Sequence, residues 1–282
     1  MRRGGVTVAV IEAFLSYGFM QNAFVASLLV GLLSGIIGVV IVEKKMVMMS
    51  GGIAHTAYGG VGLGYLLGFS PLLGAVGAAL LAALGIGALR RRKGAGTDVL
   101  IALFWSLGMA AGIVFVAMAP GYTADLNTYL FGSILTITTA DLILMAVLAA
   151  VVVLAFLAFF EDLRSYLFDE VFASVSGLLV RFLEALLLAL VALTVVVLLR
   201  VTGIMLAIAL LSAPAATAAM LTRRLLPRML TAAGLSAAFS IVGLIVSFYA
   251  EIPSGATVVG LAALTYFAVL LVRCVRKRRN AA

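Results

Sequence analysis

Apolar residues run in blocks of about twenty along this chain, and charges fall almost only between the blocks. A helix needs about 20 mainly apolar residues to cross a bilayer. The charge-poor runs place candidate spans at 19–42, 53–69, 71–89, 99–119, 141–160, 183–199, 203–221, 230–250 and 256–272. The stretch from Met46 to Leu89 carries no Asp, Glu, Lys or Arg and is too long for one crossing. Ser70-Pro71 divides it, because proline ends a helix that reaches it. The expected fold is all-α, a polytopic membrane protein of eight or nine transmembrane helices forming one domain over 1–282. The first 18 residues, with Glu12, fit an interfacial, uncleaved segment with no cleavage site for a signal peptide.

Two connections are long. Residues 120–140 hold Asp125 and the apolar string Tyr129-Leu130-Phe131-Gly132-Ser133-Ile134-Leu135, too short to cross but long enough for a half-helix or a re-entrant piece. Residues 161–182 place Leu163, Leu167, Phe168, Val171, Phe172 and Val175 at helical spacing with polar residues between. That pattern predicts one or two short amphipathic helices. The apolar face beside Asp169-Glu170 fits either a partner protein or the membrane surface and the chain's own spans.

Composition agrees with a membrane solvent. Hydrophobic residues make up 65% of the 282 and charged ones 11%, too few to coat a soluble surface. Net charge is +8. With the N-terminus outside, 16 of the 19 basic residues fall on inside segments, leaving Arg2, Arg3 and Arg200 outside. The basic balance therefore reads as topology, not nucleic-acid binding. The single cysteine, Cys274, excludes an internal disulfide and a cysteine metal cluster.

No phosphate loop, HExxH, CxxC pair or Ser/His/Asp set is present, so the chain does not read as an enzyme. His55 is the sole histidine, near the expected inner end of the glycine-rich second span. Ionisable groups within spans are costly and mark pathways, and imidazole is a common transition-metal ligand. The alternative is a histidine bonded to backbone or water near a helix start. Asp125, Asp141 and Glu251 lie on outer segments, where they are either solvated loop residues or an acidic vestibule that concentrates cations. Pro214 interrupts the seventh span and predicts a kink, structural or beside a pathway, with Ser212 and Thr217 placed to satisfy freed backbone groups.

Four ordered strings give the chain a family resemblance: Ile53-Ala54-His55-Thr56-Ala57-Tyr58-Gly59-Gly60-Val61-Gly62-Leu63-Gly64, Asp125-Leu126 through Leu135, Phe168-Asp169-Glu170-Val171-Phe172-Ala173 with Gly177, and Ala213-Pro214-Ala215-Ala216-Thr217-Ala218 followed by Pro253-Ser254-Gly255-Ala256-Thr257. Together they resemble the membrane permease subunit of ATP-binding-cassette importers for zinc, manganese or iron. The charge asymmetry places the C-terminus on the cytoplasmic side, and the resemblance implies a type II importer-like permease fold and a homodimer in the cell membrane. It also implies separate ATPase subunits inside and an extracytoplasmic metal-binding protein. The cargo would be a divalent metal, zinc first and manganese or iron otherwise, with no permanently bound cofactor. The coupling helix would fall on Phe168, Asp169, Glu170, Phe172, Ala173 and Gly177; the candidate metal path is His55, paired across two protomers or with the outer carboxylates Asp125 or Glu251. In that family an aspartate often stands four residues before the histidine; Gly51 stands there, so a His/Asp pair is incomplete in one protomer. The rival readings are a permease of the same architecture for a metal chelate or cobalamin-like ligand, and a secondary transporter. The latter calls for paired carboxylates within spans, and none lies mid-span.

Overall fold

The computed structural model describes residues 17–91, 96–120, 132 and 137–279. Every regular element among them is a helix. Nine are long: α1 Gly18–Glu43, α2 Val47–Leu67, α3 Pro71–Arg90, α4 Thr97–Met118, α5 Thr139–Ala158, α8 Val180–Thr202, α9 Ile204–Leu221, α10 Leu225–Ala250 and α11 Ser254–Arg279. Between α5 and α8 lie two short helices, α6 Phe160–Phe168 and α7 Glu170–Val175, within the segment expected to be amphipathic. The expectations placed on Glu12, on Asp125 and on the string 129–135 fall outside the described residues, apart from Gly132. That glycine, at φ 53°, seats its backbone against the Thr202–Gly203 turn.

Eight of the nine long helices are apolar enough to cross a membrane by composition alone. The exception is α2, diluted by glycines, His55 and two tyrosines. It needs no lipid-facing apolar surface, because α3 packs on one side and α4 on the other. On the α3 side, a Cβ on Gly60 would collide with the Gly74 carbonyl. On the α4 side, a Cβ on Gly59 would lie 2.8 Å from the Gly108 carbonyl oxygen. Missing side chains are what allow backbones this close.

Turn chemistry sets the helix ends. Gly68 ends α2 at φ 72° and Pro71 opens α3, as the Ser70-Pro71 break predicts. Thr138 and Asp141 form a reciprocal capping box on α5. The chain reverses between α8 and α9 at a single residue, Gly203, at φ 78°.

Ion pairs mark the two ends of the bundle. Glu43 pairs with Arg228, Arg91 with Glu184 and Lys44 with Glu170 at the end where α1 and α3 finish. At the opposite end Arg200 meets Asp141 at 2.6 Å. Arg200, an exception to the charge asymmetry, is thus held by a carboxylate where α5 starts. Proline 214 is buried inside α9, which continues from Ile204 to Leu221. Ser212 and Thr217 do not compensate it as expected: their hydroxyls bond the Ile208 and Ala213 carbonyls at 2.7 Å each. The carbonyl that proline deprives of a partner belongs to Leu210, four residues earlier.

Candidate functional site

The α2–α4 seam carries the sole histidine. Because α2 begins at Val47, six residues before the expected start, His55 lies eight residues along it, about 12 Å from the helix end at 1.5 Å per residue. It is therefore well inside the helix rather than at its inner boundary. Thr56, the next residue, holds the seam together: its hydroxyl donates to the Gly52 carbonyl at 2.8 Å and is 3.0 Å from the Phe104 carbonyl oxygen across on α4.

That close approach presses Trp105 onto His55. The rings stack at 4.3 Å between centroids and 17° between planes. Gly51, one turn earlier, leaves room for the indole, since a Cβ there would lie 2.9 Å from Trp105 Cζ3. The imidazole is half-buried, and its Nδ1 is buried with no hydrogen-bond partner among the described residues. A buried imidazole nitrogen without a partner costs free energy, which a proton donor or a metal ion would offset. Of the other outer-side candidates, Glu251 is exposed at φ 55° where α10 ends, at the far end of the bundle from the start of α2. The structure does not bring it to His55. Among the described residues no group of three His, Cys, Asp or Glu side chains is placed to hold a metal ion.

A second constellation lies at the basic end. Asp169 caps α7, its Oδ1 accepting from the Phe172 N–H at 2.9 Å. Ala173 is buried, and Gly177 takes φ 80°, turning the chain back toward α8. Phe168, Val171, Phe172, Val175 and Leu179 are all exposed, so α7 offers an apolar face outward. Glu170 reaches Lys44 at 3.3 Å, and the Lys44 ammonium sits 3.5 Å from the centroid of the Tyr166 ring. Burial lowers the Lys44 pKa, with Glu170 opposing; burial also raises that of Tyr166. Lys44 thus ties α6 and α7 to the linker between α1 and α2, where Lys45 adopts φ 55°.

Trp105 and Lys44 were not singled out from the sequence as site residues. Trp105 carried a faint signal, as the lone tryptophan three residues before Gly108. Lys44 read only as an orienting charge.

A bundle of long apolar helices with, among the described residues, an imidazole Nδ1 lacking a hydrogen-bond partner in one seam and an outward apolar helix at one end has the build of a membrane permease. The ABC 3 transport family matches residues 16–273, and the chain belongs to that family. An uncharacterized membrane protein of Synechocystis sp. is 43% identical over 270 residues, covering 95% of this chain and 96% of its own. The manganese transport system membrane protein MntC of Listeria innocua is 34% identical over 261 residues, 93% of each chain. Among solved structures, PsaBC from Streptococcus pneumoniae, in complex with Fab, superposes with a TM-score of 0.84 at 29% identity, covering 93% of this chain and 95% of that one.

Proposed function

We propose that this chain is the translocation subunit of an ATP-driven importer for divalent transition-metal ions. The observation that carries the reading is His55: a partnerless Nδ1 within a seam of a chain from an ABC transport family. Residues 1–282 act as a single permease domain, and ATPase subunits supply the hydrolysis that this chain's motifs lack. An extracytoplasmic binding protein delivers the ion. The exposed face of α7, with Phe168, Asp169, Glu170, Phe172, Ala173 and Gly177, receives the ATPase. The basic end faces the cytoplasm, in keeping with the positive-inside rule. No three-ligand cluster exists among the described residues of one protomer, so ligands from a second copy across a homodimer complete the coordination.

Zinc is the first cargo assigned, since imidazole is the available donor and Gly51 brings no carboxylate one turn away. Manganese is the second reading, because the Listeria relative is named for manganese transport. Asp125 and Glu251 belong to the outer approach, where negative charge raises local cation concentration. The test is reconstitution with the cognate ATPase and binding protein in proteoliposomes, following uptake of zinc and manganese isotopes. ATP-dependent zinc uptake that His55→Ala abolishes is the expected result. Uptake of a chelate and neither free ion would overturn the cargo assignment.

A further inference from the structure

The other side of Trp105 is not packed solid. Trp105 lines a cleft of about 510 Å³ together with Met48, Asp98, Ile101, Ala102 and Ser106. The indole therefore stands between two environments. On one side is the His55 ring it stacks against. On the other is a cleft holding a thioether, a hydroxyl and a carboxylate, with Asp98 exposed in the first turn of α4. These are the donor types that a divalent cation leaving an imidazole would meet next.

Among the described residues no hydrogen bond anchors the Trp105 side chain to the backbone. Its position depends on ring stacking and on the absent side chain at Gly51. Ring stacking alone is a weak restraint, one that a driven conformational change overcomes. The seam behind it is held separately by Thr56 and the glycine contacts, so the indole can turn while α2 and α4 stay packed.

We propose that Trp105 is a swinging gate over His55, whose displacement passes the cation from His55 into the Met48–Ser106–Asp98 cleft. The proposal rests on His55 lying in the metal path. Trp105 acts here as a positioning residue: closed, it holds the imidazole and covers it; open, it joins His55 to the cleft that leads to the basic end. The receiving cleft takes a bare or partly hydrated divalent ion, Asp98 supplying charge at its mouth.

The chain's single histidine makes the test specific. The complete transporter, reconstituted with its ATPase and binding protein, is treated with diethyl pyrocarbonate, and carbethoxylation of His55 is followed by peptide mass spectrometry. The resting complex is compared with one trapped with ATP and vanadate. Wild type is expected to show at least a tenfold difference in His55 labelling between the two states. Trp105→Ala labels fast in both, and Trp105→Phe retains part of the difference. Gly51→Ala, which crowds the ring, also raises resting labelling. Equal labelling of wild type in both states, or no acceleration in Trp105→Ala, overturns the gate. Zinc and manganese uptake by His55→Ala is measured alongside. Retained uptake there removes the premise, whereas lost uptake with state-independent labelling removes the gate alone.

Discussion

Replacing Lys44 with methionine keeps the aliphatic stem and removes the charge that joins α6 and α7 to the α1–α2 linker. Two contacts are lost. The side chain is only 12% exposed, so its contact with the Tyr166 ring is largely desolvated and worth about 1–2 kcal/mol. Glu170 is 54% exposed, and screening limits that pair to roughly 0.2–1 kcal/mol. The sum, about 1–2 kcal/mol after allowing for non-additivity, corresponds to a factor of roughly 5–30 in an equilibrium between engaged and disengaged linker. The assay is the number of metal ions taken up per ATP hydrolysed in proteoliposomes. Lys44→Met is expected to lower that ratio severalfold while ATP hydrolysis continues. Glu170→Gln, which leaves the ring contact in place, should lower it less. Wild-type coupling in both variants would refute the argument. pH supplies an independent arm. Burial holds the Lys44 pKa below its ordinary 10.5. Its charge is therefore lost as pH rises through that lowered value, and coupling should fall there. Folding stability itself shifts the other way, rising between the lowered value and 10.5, because the unfolded chain binds the proton more tightly. Lys44→Arg, which stays charged, should hold its coupling to higher pH.

Three other perturbations follow from the packing. Gly60→Ala forces a Cβ into the Gly74 carbonyl and should cost about 1–3 kcal/mol, read as a lower unfolding temperature, whereas Gly77→Ala meets nothing within 4 Å and should be neutral or slightly stabilising. Asp141→Ala removes half of a capping box and the partner of Arg200, so it should destabilise by about 1–2 kcal/mol, more than Arg200→Ala, in the same thermal assay. Gly177→Ala meets no atom within 4 Å, so its cost is backbone strain alone, about 1–2 kcal/mol at φ 80°. It should weaken ATPase binding in a pull-down without lowering expression of the folded permease.

Helix number and limits were largely legible because the bilayer imposes a length and excludes charge. Spans 71–89 and 203–221 fall close to α3 and α9. The start of α2 was not, since Met46 to Gly52 offers neither a charge nor a strong cap, and helix formation there depends on packing against α4. His55 was legible as a lone ionisable group. Its stack with Trp105 was not, because residues 50 apart become neighbours only through the glycine contacts between two helices. The family strings pointed to 168–177, and the structure adds why Asp169 stands there: it caps α7. Lys44 was hidden for a different reason. A basic residue at a span end satisfies the orientation rule whether or not it has a partner, so charge patterning is silent about Tyr166 and Glu170.

The glycine contacts set α1 and α2 against different principal neighbours. α1 lies against α10, where Cβ atoms on Gly31 and Gly35 would collide with the backbone or side chains of Ala233 and Ala237. It also meets α9, where a Cβ on Gly38 would lie 2.5 Å from the Leu211 carbonyl oxygen. α2 lies instead against α3 and α4. Consecutive in sequence, α1 and α2 thus belong to different neighbourhoods joined by Lys44, Lys45 and Met46. Close backbone packing resists deformation within each neighbourhood, since interiors at this density shift as units. A relative movement of α1 and α2 would have to bend the chain at the linker, where Lys45 holds a left-handed conformation. A partner seated on α7, as proposed above, would act on that linker through Glu170 and Lys44, next to the α2–α4 seam that carries His55. That placement makes Lys44 a more informative target than the exposed residues of α7. If α7 receives the ATPase as proposed, substitutions on its face would disturb binding and transmission together, whereas Lys44 lies behind that face and would separate them.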